Sequence, residues 1–408
     1  MEYLRLDAAL PFPLRDGNGK LLLAAEHKIG SPALLASLQQ QALYTGEHEA
    51  VEWRRRMAEK VNGLLNAGAT LNKIAAALPD KQPQGEREQA PLSFQVELDT
   101  LVLQLDALLR QVDPESGWLD RFLPLQQAAQ ALASRRFDST VYLLVQAASG
   151  STERYSAHHV LLTAAVAVEV ASQRGWSAEE CDRLFSACLT MNVAMTRQQD
   201  MLMEQTGALS EAQRTAVREH AVRGAMMLKA AGVADLCWLD AVARHHQPEP
   251  DRPWSERPPG QRLAALIRRV DIFGAKLSRR SARKPMSPIQ AAREACLGPD
   301  GKPDELGGAL LRAVGLYPPG SFVRLESGEV GVVVARGRRA NLPLVVTLIG
   351  ASGLPLHEPA LRDTVERRHM VKEALAPAAV KVRPPHERLL EIIRLHEQRR
   401  SSDTARAA

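Results

Sequence analysis

The sequence predicts a mainly α-helical protein, with a helical bundle between a small N-terminal α/β module and a small C-terminal β extension that ends in a helix. Three observations carry this. Apolar residues recur at helical spacing from Phe94 to about Val314, broken only by short loops. The texture then changes to the β-branched runs SFVRLESGEVGVVVARG and LPLVVTLIG, with a Ser327-Gly328 turn inside the first. Ahead of both, residues 10–25 alternate apolar and polar around Asp16-Gly17-Asn18-Gly19, whose glycines supply the positive φ of a hairpin turn.

Each element has a local reason. Ser31-Pro32 offers an N-cap followed by proline at the first helical position, and the run to Ala42 is apolar at helical spacing. Residues 47–78 read as helical, broken near Gly68. Asp80 to Pro91 then combines Pro, Gly and alternating charge without apolar anchors, as a linker does. Beyond it, Phe94 to Arg110 and Phe122 to Arg135 read as helices. Ser177 with Glu180 and Ser210 with Gln213 have the spacing of capping boxes. The last helix has an apolar stripe of Leu389, Ile392, Ile393 and Leu395. The divisions expected are 1–78 (hairpin and helix), 79–92 (linker), 93–316 (helical domain), 317–380 (β extension) and 381–408 (helix and tail).

Composition narrows the class. At 408 residues the chain exceeds the size of one hydrophobic core. Hydrophobic residues make up 45% and charged residues 24%, the balance of a globular protein rather than a disordered or fibrous one. The start has no basic region leading into an apolar one, and no stretch approaches the roughly 18 apolar residues of a span, so a cytoplasmic protein is expected. Cys181, Cys188, Cys237 and Cys296 lack C-x-x-C spacing and read as reduced, mostly buried thiols. The net charge of +5 comes partly from Arg383 to Arg406 and does not argue for nucleic acid. Arg54-Arg55-Arg56 sits on a predicted helix and reads as a solvated face rather than as a dinucleotide-binding motif.

The residues with chemical potential are histidines. His159 shares a helix face with Thr163, Val166 and Val170, so it points into the core, whereas His158 beside it reads as exposed. His220 shares a face with Val217, Gly224 and Met227, and a later helix ends in His245-His246. Asp271 lies on a helix whose apolar face includes Leu263, Ile267 and Gly274. Imidazole nitrogens with one hard oxygen suit Fe, Mn, Zn or a similar ion that activates water for phosphoester hydrolysis. For each histidine alone, a hydrogen-bonded core residue is the alternative.

The order of these segments adds to this. YSAHHVLLTAAVAVEVA, SACLTMNVAM, ALSEAQRTAVREHAVRGAMML, LDAVARHHQ and RLAALIRRVDIFGAKLSRR with MSPIQAA together resemble, segment by segment, the HD-GYP family of the HD superfamily of metal-dependent phosphohydrolases. YPPGSFVRLESGEVGVVV resembles the β extension that closes that family's domain, so the likeness runs from about Asp138 to Val334. It implies an HD-type helical bundle, cyclic-di-GMP phosphodiesterase chemistry in bacteria, and His159, His220, His245, His246 and Asp271 as a partial metal site. Where the family has Leu-His-Asp-Ile-Gly-Lys, this chain has Thr190-Met191-Asn192-Val193-Ala194-Met195. The His-Asp pair is thereby Met191 and Asn192, and the phosphate-contacting lysine is Met195. The Gly-Tyr-Pro loop is also missing: Gln247 replaces a glutamate and PEPDRPWSERPPG follows. Tyr155 stands where members with three metals place glutamate. The resemblance thus leaves two readings. One is a degenerate member that binds cyclic-di-GMP or a signalling partner, with or without a metal. The other is an active phosphodiesterase with a reduced metal site.

Overall fold

The computed structural model describes residues 93–248, 252–278, 288–297 and 302–407, residue 286, and parts of the segment 6–43. The expected Asp16–Gly19 turn, the helical stretch 47–78 with Arg54–Arg56, and the linker 79–92 lie outside the described residues. The chain divides into two compact units, Met1–Ala107 and Leu108–Ala408.

In the first unit, strands β1 (Leu14–Arg15) and β2 (Leu21–Leu23) pair antiparallel, with Leu14 opposite Leu23. Helix α1 (Pro32–Gln39) starts as the sequence predicts, with Ser31 Oγ accepting from the Leu34 amide at 3.4 Å, but ends before Ala42. Helix α2 (Phe94–Leu109) spans the division between the units; its Leu103 packs with Leu14, Leu23, Ile29, Leu34 and Leu38.

The second unit is built from helices α3 (Trp118–Arg135), α4 (Phe137–Gly150), α5 (Tyr155–Gln173), α6 (Ala178–Thr190), α7 (Thr196–Glu204), α8 (Glu211–Ala230), α9 (Leu236–Arg244), α10 (Pro259–Leu277), α11 (Pro288–Cys296) and α12 (Glu305–Val314). Helix α3 begins four residues before the predicted Phe122. Gly117, left-handed at φ 61°, turns the chain into it, and Pro124 is accommodated inside. Both capping boxes form. Ser177 Oγ accepts from the Glu180 amide at 3.2 Å and Glu180 accepts from the Ser177 amide at 3.0 Å; Ser210 and Gln213 do the same at 3.2 and 2.8 Å.

Helix α5 is the axis of this unit. It packs against α4, α6, α7, α10 and α12, and alanines at 157, 164, 165, 167 and 171 let those neighbours approach closely. Cys181, Cys188 and Cys296 are buried and free, and Cys237 is half-buried. No helix among the described residues is long and apolar enough to cross a membrane.

The β extension is a five-stranded antiparallel sheet in the order β6-β5-β4-β3-β7, comprising β3 (Phe322–Leu325), β4 (Val330–Ala335), β5 (Leu344–Ile349), β6 (Pro355–Asp363) and β7 (Val371–Leu375). The first three match the β-branched runs, and Gly328 (φ 85°) turns β3 into β4. Strands β6 and β7 lack a buried apolar pattern because they form the sheet's edges; the two prolines of β6 are tolerated there. Helix α13 (His386–Ala407) packs on α4 and β4 through Leu389, Leu390 and Ile393. This corrects the expected stripe: Leu390 is buried, whereas Leu395 is exposed. Gly320 sits where the extension presses on α4. It has φ +95°, and a Cβ there would lie 2.7 Å from the Val145 side chain.

Gly320→Ala therefore combines a strained φ with a clash and is expected to cost on the order of 2 kcal/mol or more in denaturant unfolding. Ser177→Ala, which removes one cap, is expected to cost about 1 kcal/mol. Equal losses would contradict the packing assigned to Gly320.

Candidate metal centre

Helix α8 carries His220 and, one turn on, Gly224. A Cβ at Gly224 would lie 3.3 Å from Val193 and 3.6 Å from Val242, so the glycine brings α8 close to the turn after α6 and to α9. His245 caps the C-terminus of α9 and is fully buried; His246 follows it and is exposed. These three residues converge, with ring centroids 5.2 Å (His220–His245), 5.0 Å (His220–His246) and 4.1 Å (His245–His246) apart. One nitrogen from each lies within 4.8 Å of the others.

The hydrogen bonds fix what two of these rings offer. His220 Nδ1 donates to the Val217 carbonyl and His245 Nδ1 to the Val242 carbonyl, each at 2.7 Å. A carbonyl only accepts, so Nδ1 carries the hydrogen and Nε2 is left with a lone pair. Burial, the largest influence on each, holds His220 below the usual histidine range and His245 at about 3, so both rings are neutral near pH 7. The two Nε2 atoms nevertheless face each other at 3.3 Å. Two lone pairs so placed repel unless a cation lies between them. Two nitrogens bound at about 2.0–2.1 Å to one tetrahedral ion stand roughly 3.3–3.4 Å apart. By donor chemistry and spacing, the cluster fits a divalent ion.

His159 and Asp271 form a second group. Helices α5 and α10 pack together, and His159 Nε2 lies 2.7 Å from Asp271 Oδ1. Burial opposes ionisation of Asp271 most strongly, but the hydrogen bond and charge of His159, with His245 and His246, outweigh it and hold the carboxyl at about 2. His159 Nδ1 is buried without a hydrogen-bond partner among the described residues, against Gly274, where a Cβ would lie 3.3 Å from the ring. Tyr155 stacks on the other side, with ring centroids 5.2 Å apart and planes at 22°. Sequence reasoning assigned no role to Tyr155 beyond noting that it is not glutamate; its i, i+4 spacing from His159 was the available signal. Of the five expected ligands, His220, His245 and His246 gather most tightly, and His159 pairs with Asp271, whose charge also reaches His220 and His245. His158 is half-buried, not exposed as expected, because its Nδ1 donates to the Arg154 carbonyl at 3.0 Å.

Met191, Asn192 and Met195 lie in the turn after α6, at 0%, 5% and 8% exposure. The single turn Val193–Met195 packs on α8, the helix that carries His220. After His246 the chain turns outward: Gln247 is exposed and accepts from the Arg244 guanidinium at 3.0 Å. Trp254 then lies between Arg174 and Arg257, each 5.3 Å from its ring, with Trp176 at 6.3 Å. This anchor for the loop was not read from the sequence, since Arg174 and Trp254 are far apart along the chain.

No family model matches the chain. A cyclic di-GMP phosphodiesterase of Pseudomonas aeruginosa is 28% identical over 156 residues, which span 37% of this chain and 38% of that protein's length. Among solved structures, an HD-GYP-type protein from Bdellovibrio bacteriovorus is 12% identical, with a TM-score of 0.41 over 76% of this chain and 96% of its own, a likeness too slight to argue from.

The ionisation pattern sets an acid sensitivity. His220 and His245 titrate lower folded than unfolded, so the unfolded chain takes up protons first and stability falls as pH drops from about 6.5 toward 3. Asp271, held at about 2 against an ordinary value of 3.8, adds stability above that ordinary value and loses it as pH falls toward 2. The unfolding free energy of chelator-treated protein, from denaturant titration, should drop between pH 7 and 4.5, by up to roughly 2–3 kcal/mol for His245 alone. The drop should shrink in His245→Gln. An undiminished drop in the variant would remove His245 as its cause.

Proposed function

We propose that this chain is a catalytically impaired HD-GYP-type protein that acts in bacterial cyclic-di-GMP signalling by binding cyclic-di-GMP or a signalling partner in the cytoplasm. The observation that carries this reading is the burial of Met191 and Asn192, at 0% and 5% exposure, where the family has its His-Asp pair. In the family that aspartate bridges two metals. Asn192 has no charge to do so, and the Met191 thioether is poorly matched to the harder ions of such sites. Met195 brings no cation to a phosphate. The Gly-Tyr-Pro loop, to which the family owes recognition of substrate or partner, is replaced by the segment anchored at Trp254.

What remains supports a single ion. His220, His245 and His246 would hold it, and Fe, Mn or Zn bound there would supply a Lewis acid for a phosphoryl oxygen. Asp271, ionised and hydrogen-bonded to His159, places a negative charge that acts on His245 and His246. His159 keeps that carboxylate oriented rather than serving as a ligand itself. The second reading, an active phosphohydrolase with one metal, is favoured by the 3.3 Å approach of the two Nε2 atoms, which suits an assembled site.

Elemental analysis of protein purified without added metal or chelator separates these readings when combined with cyclic-di-GMP binding and turnover. The expected result is at most one ion per chain, lost in His245→Ala and reduced in Asp271→Ala, with binding but no hydrolysis. Hydrolysis of cyclic-di-GMP or its linear product, abolished by His245→Ala, would replace the first reading by the second. Absence of any metal from the wild type would eliminate the second.

A further inference from the structure

Away from the histidines, a pocket of about 150 Å³ opens between the end of α12 and the β4–β5 loop. Arg312, Tyr317, Arg336, Arg338 and Arg339 are among the residues that line it, and no acidic residue is among them. The four guanidiniums are not equivalent. Arg336 is committed to the fold: it donates to Asp138 at 2.7 Å, Glu169 at 2.6 Å and the Ala313 carbonyl at 3.0 Å, and lies 4.3 Å above the Phe137 ring. Arg312, Arg338 and Arg339 pair with no carboxylate among the described residues. Three uncompensated positive charges therefore border one concavity.

The backbone holds them there. The Leu316 amide donates to the Ala340 carbonyl at 2.7 Å and the Leu342 amide to the Arg339 carbonyl at 3.0 Å, stitching the loop tip to the exit of α12 and closing it on itself. A Cβ at Gly337 would lie 1.6 Å from the Leu342 carbonyl oxygen, so this tight course admits only glycine. Tyr317 packs against the buried Val323, Leu325, Val333 and Val345 and gives the pocket a fixed wall. Like charges gathered on a preformed loop repel one another and are relieved by a multivalent anion. Planar guanidiniums match the oxygens of a phosphate through paired charge-assisted hydrogen bonds. The volume, below the roughly 300 Å³ at which pockets enclose whole drug-sized ligands, suits one phosphoryl group with the rest of its bearer outside.

We propose that this pocket binds a phosphate-bearing small molecule through Arg312, Arg338 and Arg339. The site is independent of the histidine centre and of the function proposed for it. The test uses the full chain after chelator treatment, so that phosphate bound to a metal does not contribute, at fixed ionic strength in chloride. Calorimetry and phosphorus NMR with inorganic phosphate and pyrophosphate should show one site per chain. The Arg338→Ala/Arg339→Ala double variant should bind roughly tenfold more weakly or worse, as expected when charge-assisted bonds are removed, with its thermal midpoint unchanged. Arg312→Ala should weaken binding in the same direction. Undiminished binding in the double variant would overturn the proposal. So would the absence of binding by either soluble phosphate, including the case in which the protein sediments only with phosphatidylglycerol vesicles, which would assign the arginines to a lipid surface.

Discussion

Helix α5 is buried along most of its length, and its burial governs much of what surrounds it. The polar side chains that it buries must be satisfied within the protein. Ser156 does so through the Thr196 carbonyl at 2.9 Å and Gln199, and Thr163 through the carbonyl of His159 one turn back. His159 cannot use its own helix, and Asp271 meets it from α10. The hydrogen bond from His159 holds that carboxylate ionised beside the histidine cluster. The packing of α5 and the electrostatics of the histidine cluster are two aspects of one arrangement.

The same enclosure explains what the sequence could and could not disclose. Helical periodicity located α5, α8 and α10, and the capping boxes set the starts of α6 and α8 from side-chain chemistry three residues apart. His159 and His220 were legible as inward-facing because their faces are apolar. Their division of labour was not legible, since whether an imidazole meets a carboxylate or another imidazole depends on helix crossings between segments up to 112 residues apart. The predicted start of α3 at Phe122 fell four residues late, because Gly117 turns the chain into the helix at Trp118 and Pro124 is accommodated within it. The arginines of the β4–β5 loop carried no signal in the sequence, because nothing in its order places Arg312 beside them.

Two kinds of basic residue meet in this molecule. Arg336 and Arg362 are partly buried and spend their charge on carboxylates, Arg362 on Glu329 at 2.8 Å, where they fasten strands and helices together. Arg312, Arg338 and Arg339 have no such duty among the described residues. The contrast is chemical: desolvated guanidiniums require partners to be tolerated, whereas those at a pocket mouth remain hydrated and available for exchange.

The edges of the β extension bear on how the protein behaves in a crowded cell. An open strand presents unpaired amides and carbonyls on which a foreign strand can grow. Strand β6 interrupts that template, because Pro355 and Pro359 contribute no amide hydrogen. Strand β7, on the opposite side, sets Lys372 beside Glu373, both exposed, so an incoming apolar segment would have to bury charge. The sheet is thus terminated on both flanks by residues that resist templated growth, and strand addition there is disfavoured as a route to self-association.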